Sequence, residues 1–229
     1  VTNVQGTWVV PAIVGTSGFG NLGFSGTQCS DNENTWYDDS DWVGIDGFVS
    51  QTVEQTGTSS DCYYGQAYYY AWYEFYPANS VTVTSITVHP GNVMTASVTY
   101  SGGLFTTTIT DVSTHQSYTS PATPVPGALT DSAEWISESA YFDGFLALTQ
   151  TAPVQFSGAT ATIGGVTHSI GGWGTSVFYL LMVDYNFGIN EETGVLTPST
   201  ATLAYAKADT SALGRGGDNF NVDWLSSGP

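Results

Sequence analysis

The sequence predicts an all-β fold, a sandwich or jelly roll of two packed sheets. Three observations carry this. Apolar residues alternate with hydroxyl-bearing ones at a period of two along most of the chain, and no stretch sustains a 3.6-residue period between helix caps. Of 229 residues, 24 are Ser and 32 are Thr, and β-branched residues such as Thr and Val fit a pleated, half-exposed surface. Gly and Pro clusters cut the alternating runs into short lengths. Composition does not shift along the chain, so residues 1–229 read as one domain. Hydrophobic residues make up 41% and aromatic ones 14%, enough for a sizeable core.

The most informative strand candidate is 62–77, C-Y-Y-G-Q-A-Y-Y-Y-A-W-Y-E-F-Y-P. In an extended chain Gln66, Tyr68, Tyr70, Trp72, Glu74 and Tyr76 share one face, and Ala67, Tyr69, Ala71, Tyr73 and Phe75 the other. The second face, with its small residues, suits core packing. The first mixes rings with an amide and a carboxylate. That is a poor core but a good floor for a cleft that binds a polymer; an exposed amphipathic sheet face is the plainer alternative. Residues 80–88, S-V-T-V-T-S-I-T-V, form the next strand, and His89-Pro90-Gly91-Asn92 breaks it. Residues 93–100 and 104–110 flank the turn Ser101-Gly102-Gly103 and complete a meander. Pro121, Pro124 and Pro126 make 120–127 a loop. Later strands are expected at 144–149, 154–156, 159–163, 175–185, 201–207 and 219–224, with a short peripheral helix around 208–213.

Lys207 and Arg215 stand against 20 acidic residues, a formal charge of −18. Such a chain repels phosphate backbones and anionic lipid surfaces, so neither nucleic acid nor a membrane is expected as a partner. The longest apolar run, 177–183, is far short of a membrane span. Base is missing rather than acid in excess. Charged residues total 10%, against the usual ~25%, and hydroxyls that do not titrate solvate the surface. Lowering the pH removes most of the self-repulsion. An acid-adapted extracellular protein is the expectation, and a neutral-pH secreted β-protein is the alternative. The chain opens at Val1 without a leader segment, which reads as a processed mature form. Cys29 and Cys62 suit one disulfide in that setting. Its loop closure would contribute roughly 3–4 kcal/mol; two unpaired buried thiols are the other possibility.

Catalytic chemistry narrows by elimination. His89, His115 and His168 are scattered without partners at ligand spacing, so no metal and no cofactor is expected. A histidine base is protonated at pH 3, its reference pKa being about 6.5. Gly174-Thr175-Ser176 starts like a subtilase turn, but Val177-Phe178-Tyr179 does not continue it. The Asp-Thr/Ser-Gly turns of pepsin-like enzymes and a Gly-rich phosphate loop with Lys are both missing from the sequence. Carboxylates and amides remain.

Four motifs then bring a family into view. Trp42-Val43-Gly44-Ile45-Asp46-Gly47 is followed by Gln55-Thr56-Gly57; then come Trp72-Tyr73-Glu74-Phe75-Tyr76-Pro77 and Ala133-Glu134-Trp135-Ile136. In this order they resemble the glutamic peptidases, or eqolisins. Gly6-Thr7-Trp8-Val9-Val10-Pro11 and Phe220-Asn221-Val222-Asp223-Trp224 also look like family strands, so the resemblance spans nearly the whole chain. It implies two large antiparallel sheets bent around a concave substrate cleft. It also implies a secreted acid endopeptidase, insensitive to pepstatin, acting on protein or peptide substrates through a Gln/Glu dyad, without cofactor. By motif the dyad falls on Gln55 and Glu134, and cleft residues fall on Trp42, Asp46, Trp72, Glu74 and Tyr76. The last three lie on the face already singled out by alternation. A monomer is the default.

In the implied mechanism an ionised Glu134 takes a proton from a water held by Gln55, then returns it to the leaving amine. The Gln55 amide also donates to the developing oxyanion. Glu134 is expected to stay near the reference of ~4.3, helped by a hydrogen bond from Gln55 to its charged form. The competing reading is a carbohydrate-active sandwich, either a glycoside hydrolase using Glu74 and Glu134 or a lectin-like binding module. Acid adaptation has a thermal signature. The calorimetric Tm is expected to hold or rise from pH 7 to pH 3, and a steady fall over that range refutes it.

Overall fold

The computed structural model describes residues 1–14, 29, 36–140, 146–184, 187–189, 196–198 and 205–227. Its strands begin with β1 (Asn3–Val9), β2 (Trp36–Asp38), β3 (Ser40–Asp46), β4 (Val53–Tyr63), β5 (Gln66–Tyr76) and β6 (Val81–Val83). There follow β7 (Val93–Ser101), β8 (Leu104–Asp111), β9 (Gln116–Thr119), β10 (Ala133–Glu138), β11 (Ala147–Leu148) and β12 (Val154–Ile163). The last are β13 (Val166–Ser169), β14 (Met182–Asp184), β15 (Phe187–Ile189), β16 (Leu196–Pro198), β17 (Tyr205–Thr210) and β18 (Phe220–Trp224).

One sheet runs β14-β17-β18-β12-β1-β7-β8-β9, with β13 beside β12. In the other, β5 covers one side of β4 along its length, with β6 beyond it. The opposite side of β4 is shared by β3 and β2; β10 lies outside β3 and β11 outside β2. Pairing is antiparallel apart from β11 with β2, and β15–β16 form a separate hairpin. The two sheets pack face to face, as predicted. Val4, Trp8, Met94, Phe105 and Phe156 from the first meet Val43, Ile45, Ala71 and Phe75 from the second. Two indoles tie the layers: Trp8 Nε1 donates to Thr58 Oγ1 at 2.8 Å, and Trp135 Nε1 to the Gln5 carbonyl at 2.8 Å. The first satisfies a donor that the sandwich takes out of water.

The 62–77 candidate contains a turn. Tyr64 and Gly65 have φ of 49° and 69°, the left-handed pair of a two-residue hairpin, so Cys62 and Tyr63 end β4 and β5 begins at Gln66. The meander strands at 93–100 and 104–110 match β7 and β8. The 80–88 strand stops at Val83, because Ile86 N–H turns back to the Val83 carbonyl and buries Val83, Ile86 and Val88 together. The strands at 154–156 and 159–163 fuse into β12 across Gly158, whose φ is 60°. Only 182–184 of the expected 175–185 strand forms; glycines 171, 172 and 174 turn the preceding stretch into a short 3-10 segment, Ile170–Ser176. Where a helix is expected at 208–213, residues 208–210 end β17, paired with β18, and 211–213 follow outside any helix or strand. Parts of the strands expected at 144–149, 175–185 and 201–207 lie outside the described residues. Cys29 and Cys62 are disulfide-bonded and pack on Ile13. Lys207 is buried, its Nζ donating to the Leu146 carbonyl at 2.9 Å.

Gly57 explains part of the Gln55-Thr56-Gly57 motif. A Cβ there would lie 2.3 Å from the Asp41 carbonyl oxygen and 2.6 Å from Trp42 Cβ. Gly57→Ala is therefore expected to cost about 2–3 kcal/mol as strands β3 and β4 are forced apart. Urea denaturation measures this; an unshifted midpoint would mean that the strand pair yields freely.

Candidate active site

Strand register assembles the site. Across β10, β3, β4 and β5 it aligns Glu134 with Gly44, Gly44 with Gln55, and Gln55 with Glu74. Directly paired residues project to the same face, so Glu134, Gln55 and Glu74 stand in one row. At about 4.8 Å per strand, the Cα atoms of Gln55 and Glu134 are roughly 10 Å apart. Gly44 puts no side chain between them. The adjacent row holds Ile136, Trp42, Gly57 and Trp72. Trp42 and Trp72 are both buried. The Trp42 ring lies against Gly44, where a Cβ would come within 2.7 Å of it, and its Nε1 donates to Glu138 Oε1 at 3.0 Å. Tyr76, 50% exposed, closes the outer end of β5.

Hydrogen bonds give the row a direction. Gln55 Nε2 donates to Glu74 Oε2 at 2.6 Å. Its Oε1 is buried and has no partner among the described residues. Glu134 accepts from Ser132 Oγ at 3.0 Å and from the Phe48 backbone N–H. Gly47, at φ 108°, lets the backbone approach, since a Cβ there would sit 3.0 Å from Glu134 Oε2. Burial pushes the Glu134 carboxyl up to about 7; the charges of Asp46 and Asp131 add to this, while Ser132 opposes it. Burial also raises Glu74, and lifts Glu138 to about 7.

Two expectations need correction. Glu134 does not stay near its reference value, and Gln55 does not hold it down. The Gln55 amide nitrogen is committed to Glu74 one strand away, whereas Glu134 is two strands off on the other side. Asp46, expected in the cleft, is fully buried. Its φ of 67° takes it out of the strand's alternation. Its Oδ2 accepts the N–H groups of Leu129 and Thr130 at 2.8 and 3.0 Å, and its Oδ1 that of Asp131 at 2.9 Å. It clamps the loop leading into β10, which carries Glu134.

Three residues escaped the sequence reading. Ser132, just before β10, and Glu138, at its end, lie two and four residues from Glu134, an even spacing that period-two counting reveals once Glu134 is chosen. Glu54 is more surprising. It is fully buried on the core face of β4, between Ile45 and Phe75 in register. Burial, then the neighbouring Asp46, push its carboxyl to about 8. Asp41 and Asp61, buried further along the same strands, rise to about 8 and about 9 for the same first reason.

Residues 1–182 match the peptidase A4 family, and the chain belongs to that family. It is 35% identical over 176 residues to aspergillopepsin-2 of Aspergillus niger, spanning 72% of this chain and 61% of that relative's length. The crystal structure of aspergilloglutamic peptidase from Aspergillus niger superposes with a TM-score of 0.63 at 30% identity, over 82% of this chain and 99% of that one. A crystal structure of scytalido-glutamic peptidase with a transition state analog inhibitor shares the fold, with a TM-score of 0.67 at 22% identity, over 98% of this chain and 92% of that one.

The buried carboxyls carry a pH signature. Folded Glu54 keeps its proton to about pH 8, against an ordinary 4.5. Between those values the folded state binds more protons than the unfolded one. This contribution to stability is full below about 4.5 and is lost as pH rises through about 8. Glu54→Gln is expected to flatten that decline, bringing urea midpoints at pH 4 and pH 8 closer than in the wild type. An unchanged gap would assign the pH dependence to other groups.

Proposed function

We propose that the chain is a secreted acid endopeptidase, a single β-sandwich domain in which Gln55 and Glu134 activate a water against a peptide carbonyl without a covalent intermediate. One observation carries this reading: Gln55 Oε1 is buried and has no partner among the described residues, in the same row as Glu134 across Gly44. A water between them donates one hydrogen to that oxygen and the other to Glu134. Family membership supports peptide substrates.

Burial sharpens the proton inventory. A carboxyl raised to about 7 is protonated in acid, so Glu134 enters the reaction as a neutral acid with one oxygen free to accept. In the attack the free oxygen takes a proton from the water while the carboxyl O–H passes its own to the carbonyl oxygen, giving a neutral diol. In the collapse one diol hydroxyl returns a proton to Glu134, and Glu134 protonates the leaving nitrogen. The C–N bond breaks, and the products are a carboxylic acid, an amine and Glu134 protonated as at the start. The second N–H of the Gln55 amide steadies the carbonyl oxygen. Glu74 fixes the amide so that its oxygen faces the water. The glycoside hydrolase alternative loses its carboxylate pair, because Glu74 is bonded to Gln55 and stands three strands from Glu134.

Digestion of casein at pH 2–4 in the presence of pepstatin tests the activity; cleavage of xylan or glucan in its place would overturn it. Gln55→Ala is expected to lower kcat by about 10²–10³, and Glu134→Gln by about 10²–10⁴. The pH profile separates the two roles of Glu134. Acting protonated, it gives a kcat/KM that holds in acid and declines as pH rises through about 7. A rate that climbs through that pH would return Glu134 to the role of ionised base.

A further inference from the structure

On the side of Glu134 away from Gln55, a groove of about 550 Å³ opens along β10. Among the described residues β10 pairs only with β3 and ends its sheet there. The facing wall is 177–181, an extended stretch between the 3-10 segment and β14 that belongs to no strand. Phe178, Tyr179, Leu180 and Leu181 are 67, 56, 52 and 49% exposed. Four consecutive large apolar residues in water are not accounted for by packing, and such a patch marks a binding surface.

The groove is continuous with the site. Phe178 stacks on Phe48 with centroids 5.5 Å apart and planes at 23°. The backbone N–H of Phe48 bonds the Glu134 carboxylate. The ring pair therefore begins where the reacting carboxyl ends. Trp173 lines the same groove, and its indole N–H is buried without a partner among the described residues. The lining carries Glu138, Asp131 and Asp209 but no Lys or Arg.

Resting on the peptidase reading above, we propose that this groove is a substrate subsite for a large apolar side chain, best an aromatic one, on the Glu134 side of the scissile bond. Phe48 and Phe178 set its specificity, and the Trp173 N–H receives a peptide carbonyl. A peptide whose scissile bond lies between Gln55 and Glu134 must leave the row over β10, and at about 3.3 Å per residue its next side chains reach the groove. Offset stacking on the Phe48–Phe178 pair favours a third ring.

The experiment uses internally quenched peptides at pH 4, varied among Phe, Leu, Ala and Asp at each position flanking the bond. For Phe178→Ser and Phe48→Ser, the Phe-to-Ala ratio of kcat/KM is expected to fall roughly tenfold or more at one position on one side of the bond; Phe178→Leu should recover much of it. Both rings are more than half exposed, so their removal leaves the core intact. Ratios unchanged at every position, with wild-type cleavage still abolished by Glu134→Gln, overturn the subsite alone. Cleavage that persists in Glu134→Gln, or none in the wild type, overturns the dyad reading and the subsite with it.

Discussion

The register of β10, β3, β4 and β5 is the constraint on which the site depends. Side chains alternate along a strand, so a slip of one residue exchanges the faces. On β4 that slip would bring Glu54 to the cleft and send Gln55 into the core. Tight glycine contacts oppose it. Gly57 sits against the Asp41 carbonyl and Trp42, and Gly44 against the Trp42 ring. The same two glycines seat the Trp42 ring beside the row that holds Gln55 and Glu134. Packing and chemistry are thus specified by the same contacts.

Acidity is the second theme, and it resides in the interior as much as on the surface. Glu54, Asp41 and Asp61 are buried, with carboxyl oxygens that find no partner among the described residues. Ionising such groups without a cation is costly. With so few Lys and Arg in the chain, compensation by ion pairing is scarce, and protonation is the available remedy. In acid each becomes a neutral polar group able to donate one hydrogen bond. The environment that suits the fold is then the one in which Glu134 holds its proton.

Much of this was legible in the sequence, for identifiable reasons. Period-two alternation fixed the faces of β5, β7 and β8, because one side of each strand meets a core and the other does not. Glu74 was read from alternation, and register then paired it with Gln55. Backbone geometry was less visible. Nothing in W-V-G-I-D-G announces that Asp46 turns left-handed and withdraws from the cleft to hold three N–H groups. A strand is expected over 175–185, yet 178–181 pair with no strand and are about half exposed or more beside the site. The proton inventory was invisible for another reason: it depends on how deeply Glu134 and its neighbours are buried together, which no spacing along the chain encodes.

The rarity of basic side chains has a practical face. The buried amine of Lys207 is bound to the Leu146 carbonyl. Arg215 is exposed. A peptidase that cuts after Lys or Arg therefore finds one ready target on the folded surface. Reagents that acylate lysine meet in Lys207 a nitrogen already engaged. Such a protein is hard for its competitors to digest and hard for a chemist to tether through lysine. Its carboxyls and surface aromatic rings are the better handles.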